Sequence, residues 1–310
     1  MTLPDNPLHW RIALVGYGEV GRILAEDLRR QGVLVCACDL KVGVGDTAIA
    51  RHAGDFRVPI FVDHATTLEG ADLVVSAVTA SQTLAAAESC AAAIPPGAFF
   101  LDFNSASPGT KIAAAGLIEA AGGRYVEGAV MTSVPPHRCK VPLLLGGPHA
   151  AALAPALKAL GFAPTLGSEK LGVASATKMC RSVMIKGLEA MVIESFTAAR
   201  HYGVEDAVIA SLRETFPGID WEKQGAYFFQ RVIEHGRRRS EEVREVAETV
   251  REAGLEPWSA SGTAERQAWV ADLADAGLFG RRGEPGFARS ADWRDEADRL
   301  LAHANRRKDC

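Results

Sequence analysis

The stretch that leaves this chain the fewest folds lies near its amino terminus. Residues 11–15 (RIALV) are a short apolar run that ends in Gly16-Tyr17-Gly18-Glu19-Val20-Gly21. A helical pattern follows, with Ile23, Leu24 and Leu28 on one face and Gly32 at its stop. A second apolar run, residues 33–38, then ends in Asp39. Each part answers a need of a bound dinucleotide. Gly16 permits the tight turn, Gly18 lets backbone approach a pyrophosphate, and Gly21 lets the helix pack on the strand. The segment from Gly16 through Tyr17, Gly18, Glu19 and Val20 to Gly21 opens a helix whose free N–H groups and partial positive charge suit phosphates. Asp39 can accept hydrogen bonds from the ribose hydroxyls. The ordered context carries this reading, since three glycines alone also suit a turn kept for packing. A carboxylate at position 39 repels a 2′-phosphate, so NAD is favoured over NADP, with Lys41 and Arg51 placed to relieve that repulsion.

Downstream, apolar runs at 73–78, 98–102, 125–130 and 140–147 alternate with helical patterns at about 83–93, 109–121 and 149–160. Such alternation predicts parallel strands with helices on both faces. Ligands of these sheets bind beyond the carboxyl ends of the strands, which adds Val78, Thr79 and Asn104 to the cofactor edge; ordinary caps and turn residues would look the same.

Residues 171–202 are apolar on more than one side of every turn, which predicts a long buried helix of roughly 45 Å. Lys178 sits near its start, among Ala174, Ala176, Met179 and Cys180. A buried lysine with a lowered pKa can move protons, whereas one with only its stem buried is inert. After residue 204 the pattern stays helical over 205–216, 220–234, 240–253 and 259–276, with His235-Gly236 read as a break. Trp293 and Leu300-Leu301 are read as docking one last helix in a charged tail. The fold class expected is α/β: a Rossmann-like N-terminal domain over residues 1–168 and an all-α C-terminal domain over 169–310, joined by the long helix.

Bulk properties narrow the function. A net charge of −4 over 310 residues argues against a nucleic-acid or membrane binder. The opening MTLPDNPLHWRI lacks the basic and apolar regions of a signal peptide, and no uncharged run is long enough to span a bilayer. Six cysteines, at 36, 38, 90, 139, 180 and 310, form neither C-x-x-C nor a zinc-site spacing, so no metal is expected and free thiols in a cytoplasmic protein are.

In their order, these motifs resemble those of the β-hydroxyacid dehydrogenase superfamily. The family's Asp-x-Ser-Thr-x-x-Pro turn is similar to Asp102-Phe-Asn-Ser-Ala-Ser-Pro108, with Asn104 and Ser105 at the Ser and Thr positions. Its Asp-Ala-Pro-Val-Ser-Gly-Gly resembles residues 127–133, where Met131-Thr132-Ser133 replaces the Ser-Gly-Gly that grips a substrate carboxylate. Its Gly-x5-Lys-x3-Asn resembles residues 172–182, placing Lys178 at the catalytic lysine and Ser182 at the asparagine, on one helix face. Glu194 also falls at a family glutamate.

The resemblance covers residues 11–202. It implies hydride transfer between NAD or NADP and a small hydroxy acid or carbonyl, with Lys178 as general acid/base, its pKa lowered by burial and by Arg181. Ser105, Thr132 and Ser133 would orient the substrate. The last third resembles a small C-terminal domain found behind 6-phosphogluconate-dehydrogenase-like domains. By that analogy His235 and one of Arg237, Arg238 and Arg239, taken here as Arg238, would bind an anionic substrate; a solvated Arg–Glu turn is the competing reading. A homodimer is expected from the apolar long helix. Two other functions share the nucleotide site: an imine or ketone reductase, which Met131 favours and Lys178 disfavours, and a non-catalytic nucleotide sensor.

Overall fold

In the computed structural model, residues 3–45, 47–288 and 292–306 are described. Two compact units divide the chain, Met1–Met179 and Cys180–Cys310. Cys310, the sixth cysteine, lies outside the described residues.

The first unit holds one eight-stranded sheet: β1 (Arg11–Val15), β2 (Leu34–Cys38), β3 (Ile60–Phe61), β4 (Leu73–Ser76), β5 (Phe99–Asp102), β6 (Arg124–Val130), β7 (Pro142–Gly146) and β8 (Ala163–Ser168). The spatial order is β3-β2-β1-β4-β5-β6-β7-β8. Strands β1 to β6 are parallel, as alternation predicts. Its helices are α1 (Glu19–Arg30), α2 (Thr47–Asp55), α3 (His64–Leu68), α4 (Thr83–Ala91), α5 (Pro108–Ala120), α6 (Val134–His137) and α7 (Ala150–Ala159). Both sheet faces are buried, which is why the strands read as unbroken apolar runs. Along β1, Ile12 and Leu14 join the core on one face, and Ala13 and Val15 join the core on the other. Fully burying a residue such as Leu14 contributes about 1.5–3 kcal/mol.

Strand β7 departs from the expected parallel pairing and runs antiparallel to β6. Residues 131–141 hold only α6 and a 3-10 turn, too little chain for a crossover helix to cover the sheet. The following α7 is long enough, and β8 is parallel to β7. Elements α2, β3 and α3 carry patterns too short to read from the sequence.

The long helix α8 (Val173–Tyr202) spans both units, which divide at its Met179/Cys180 peptide. It is not apolar and buried all round within one chain: Met184 is 72% exposed and Met191 60%. The first turn belongs with the sheet because the fully buried Glu127 of β6 accepts hydrogen bonds from the N–H groups of Gly172 at 2.9 Å and Ser175 at 2.5 Å. A carboxylate there answers the unpaired amides and the positive end of the helix dipole.

The second unit continues with α9 (Glu205–Thr215), α10 (Trp221–Glu252), α11 (Trp258–Asp275) and α12 (Trp293–Arg306). Trp221, Phe229, Ile233, Val270 and Leu300 are among its core residues, and Trp293 and Leu300 seat the last helix. The break expected at His235-Gly236 does not occur, because α10 runs through it. Gly236 serves close packing instead: a Cβ there would lie 2.8 Å from the Gln267 carbonyl oxygen of α11.

Candidate functional site

The carboxyl edge of the parallel strands gathers most of the sequence-predicted residues of the first unit. Gly16 follows β1, Asp39 follows β2, Val78-Thr79 follow β4, Asn104-Ser105 follow β5 and Thr132-Ser133 follow β6. The strand order reverses between β2-β1 and β4-β5, which is where such sheets bind ligands.

The glycine turn has the shape its sequence demands. Gly16 adopts φ +93°, and a Cβ on it would sit 2.6 Å from the Ala77 carbonyl oxygen. A Cβ on Gly21 would collide with the Gly16 carbonyl oxygen. Gly18 is different: nothing lies within 4 Å of where its Cβ would be. It is the N-cap of α1, and no side chain caps the amides behind it. An open glycine over uncapped helix amides fits a pyrophosphate. Glu19 is exposed and Val20 half-buried on the first turn.

Asp39 locks this turn to β2. Its Oδ2 accepts the Tyr17 N–H at 2.9 Å, and its Oδ1 accepts the Lys41 N–H at 2.9 Å. A carboxylate retains acceptor capacity for ribose hydroxyls beyond those two bonds. Lys41 and Arg51 are exposed. Tyr17 presents no side chain to the edge. Its ring is fully buried, its hydroxyl meets His52 Nδ1 at 3.2 Å, and burial pushes its pKa up to about 12. Its amide is spent on Asp39, so its part in the nucleotide site is to hold the turn.

Asn104 is a staple. It is 4% exposed, its Oδ1 accepts the Val78 N–H at 2.8 Å, and its Nδ2 donates to Ser76 Oγ at 3.0 Å. It therefore fixes Val78 and the edge of β4 relative to β5. Thr79 is exposed, with its hydroxyl 3.5 Å from Ser81.

Beneath Asn104 lies a cluster that the motif reading passed over. Asp102 and Lys111 are each 1% exposed, with Lys111 Nζ 2.8 Å from Asp102 Oδ1. Lys111 Nζ also donates to the Asp102 carbonyl oxygen at 3.0 Å, and the Asn104 N–H donates to Oδ1 at 2.8 Å. Tyr125 donates its hydroxyl to Oδ2 at 2.7 Å, and burial followed by the Asp102 charge raises its pKa well above the ordinary value. One signal was available: Lys111 shares the helical stripe of Ala114, Ala115 and Ile118, all buried.

At the rim, Lys178 Nζ donates to Ser105 Oγ at 2.6 Å. Both residues are half-buried, so Lys178 is less withdrawn from water than its apolar neighbours suggested. The next positions of α8 differ: Arg181 is exposed, and Ser182, one turn beyond Lys178, is 8% exposed. Ser133 is half-buried at the N-cap of α6, and Thr132 is exposed.

The remaining candidates lie in the helical unit. His235 and Arg238 sit on α10, where His235 Nε2 is 3.8 Å from Glu234 and Arg238 pairs with Glu242. Desolvation lowers the pKa of His235. Glu194 is exposed and pairs with Arg266 at 2.6 Å. No group of three or more His, Cys, Asp or Glu able to hold a metal occurs among the described residues, and no described helix is long and apolar enough to cross a membrane.

Comparison with known proteins adds the following. Residues 11–165 match the model of the NAD binding domain of 6-phosphogluconate dehydrogenase, and residues 199–270 match a domain of unknown function, DUF1932. A conserved hypothetical protein from Sinorhizobium meliloti 1021 is 36% identical, with 94% of this chain and 97% of that chain covered and a TM-score of 0.73. The conserved protein MTH1747 of unknown function, described as structurally similar to 3-hydroxyacid dehydrogenases, is 28% identical over 86% of this chain and 98% of its own, with a TM-score of 0.66. The Mycobacterium tuberculosis 3-hydroxyisobutyrate dehydrogenase solved with L-serine shares the fold at 16% identity, covering 94% and 99% of the two chains with a TM-score of 0.66.

Proposed function

This chain belongs to the family built on the NAD binding domain of 6-phosphogluconate dehydrogenase, and from that membership we propose that it is a nicotinamide-dependent oxidoreductase interconverting a small hydroxy acid and its carbonyl form. The observation that carries the reading is the 2.6 Å bond from Lys178 Nζ to Ser105 Oγ, at the same strand edge as the open Gly18 and Asp39. A bound nicotinamide supplies the hydride acceptor or donor. Gly16, Gly18 and Gly21, the α1 amides and Asp39 hold the dinucleotide. Asn104 keeps the Val78-Thr79 backbone in register beside it.

Lys178, in its neutral form, takes the proton of the substrate hydroxyl as the carbonyl forms and returns it in the reverse direction. Ser105 steers the amine, and the Glu127 carboxylate fixes the helix turn that carries it. Thr132 and Ser133 donate hydrogen bonds to the polar end of the substrate, and Ser182 orients the lysine from the next turn. The Asp39 carboxylate favours NAD over NADP. His235 and Arg238 are assigned to an anionic substrate group, and the working form is a cytoplasmic homodimer of residues 1–168 and 169–310 as domains.

The test is a screen of NADH and NADPH oxidation against β-keto acids, aldehydes and cyclic imines. Turnover of a β-keto acid or aldehyde is expected. The Lys178→Ala protein should lose about 10²- to 10⁴-fold in kcat while it still binds dinucleotide. Turnover of cyclic imines alone, which Met131 in place of a carboxylate grip would favour, would reassign the chain to imine reduction. Nucleotide binding with no turnover would leave a sensor.

A further inference from the structure

The helical unit carries a charged cluster of which this function uses only Arg238. It lies where α8, α10 and α11 pack together. Glu189, 1% exposed, binds Arg239, 4% exposed, and stands 3.7 Å from Arg231 Nε. Glu242 accepts Lys186 Nζ at 2.6 Å and also pairs with Arg238. Each carboxylate thus bridges at least two cations, and among the described residues these ion pairs join four cations to two carboxylates.

The two buried cations, Lys186 and Arg239, have one carboxylate each, and the surplus charge is that of Arg231 and Arg238 at the open edge. A buried charge is tolerated when it is paired and hydrogen-bonded, and an uncompensated one is strongly destabilising. Two polar atoms in the same place are unsatisfied, a donor and an acceptor. Arg239 Nε is buried and has no hydrogen-bond partner among the described residues, and neither has Oε1 of the fully buried Gln267. The Nε2 of Gln267 reaches Glu189 Oε2 and the Lys186 carbonyl oxygen, each at 3.5 Å. Burial pulls the pKa of Lys186 below the ordinary lysine value; Glu242 opposes this, and the Arg239 and Arg238 charges reinforce it. The cluster is not sealed. Its side chains grade outward from the buried Arg239 through Arg231, 23% exposed, to Arg238, 55%.

We propose that Lys186, Arg231, Arg238 and Arg239 form a binding site for a compact dianion, a phosphate group or a small dicarboxylate, with the unpartnered Nε–H of Arg239 as its innermost donor. Two negative charges on one ligand match the excess. Guanidinium forks suit planar or tetrahedral oxyanions through paired N–H···O bonds. Arg231 and Arg238, nearer the surface, admit the ligand, and Lys186 supplies a point charge at the floor. Arg238, picked out in the sequence, is shared with this site, and Lys186, Arg231 and Arg239 join it from α8 and α10. This inference goes beyond the oxidoreductase reading and does not rest on it.

The experiment uses the whole purified protein without nucleotide. Thermal unfolding is followed against inorganic phosphate and against malonate, with chloride at matched ionic strength as the control. A ligand of the folded state raises the midpoint saturably. The expected result is a saturable rise with at least one dianion and none with chloride. Lys186→Met and Arg231→Gln should each weaken the fitted Kd at least about tenfold, the loss of one charge-assisted bond. If Lys186→Met fails to fold, Arg231→Gln, at the half-exposed edge, decides. An equal response to chloride, or undiminished binding in a folded variant, overturns the proposal. So does the absence of any dianion effect together with a changed sedimentation mass in the variants, which would mean that acids of a second copy neutralise the cluster. Dianion binding without hydroxy-acid turnover would remove the oxidoreductase reading and leave this one standing.

Discussion

Lys111 and Lys178 both lie on helices of the nucleotide-binding unit, within reach of one turn, yet they are held in opposite ways. Lys111 is sealed beneath the Asn104-Ser105 turn against the Asp102 carboxylate, with Tyr125 closing the other side. Lys178 is half-buried above it, and the hydrogen bond resolved for its amine goes to a neutral hydroxyl. A buried carboxylate bonded on both oxygens holds the lysine beside it in one place. A hydroxyl partner orients the amine. On the reading proposed above, the floor supplies stiffness and the rim supplies chemistry, and the two lysines can be told apart by substitution.

The widest expected gap between them is kinetic. Lys178→Met should cost roughly 10²- to 10⁴-fold in kcat with little change in unfolding free energy, measured by NADH oxidation and urea titration on one preparation. Lys111→Met should reverse that pattern. It strands the Asp102 carboxylate, and about 3–5 kcal/mol of stability should go with it; the double variant with Asp102→Asn should recover much of the loss. If Lys111→Met unfolds like the parent, the floor is not a structural charge pair. Ser105→Ala removes the hydroxyl that orients the Lys178 amine and should lower kcat about tenfold or more, leaving dinucleotide affinity unchanged in a fluorescence titration.

Smaller effects sharpen the picture at its margins. Asp39→Asn should move the NAD-to-NADP preference about tenfold toward NADP in paired kcat/KM measurements, because it removes one repulsive charge. The smallest effect concerns pH. Burial raises the Tyr125 pKa above its ordinary value of 10.0 in the folded state. The stabilisation from its neutral hydroxyl is thus complete below pH 10 and is lost as pH rises beyond it, when the unfolded chain ionises first. Urea midpoints compared between pH 9 and 11 should fall more steeply for the parent than for Tyr125→Phe; equal slopes would contradict the buried neutral phenol.

How much of this was legible from the sequence depended on the range of the interaction. The glycine turn, Asp39 and the alternation of strands and helices are local patterns, and they were read directly. The order of motifs placed Ser105 and Lys178 in one family frame, although they are 73 residues apart. Lys111 was passed over because a lysine in an alanine-rich helix reads as solvated; only its shared stripe with Ala114 and Ile118 hinted otherwise. The supposed turn at His235-Gly236 failed for the opposite reason. Glycine punctuates a lone helix, but against α11 it is what close packing requires. The direction of β7 was likewise invisible, since an apolar run looks the same in either orientation.

By itself, the order of residues determined that a dinucleotide-binding α/β unit precedes a helical one, because turn geometry and hydrophobic period act over a few neighbours and need no partner. Only the tertiary structure decided which charges face each other: that Asp102 closes on Lys111, that Ser105 receives Lys178, and that a carboxylate on α8 and one on α10 each meet two cations. Coulomb energies in a dry interior turn on ångström distances between groups far apart in the chain, and no one-dimensional pattern encodes those.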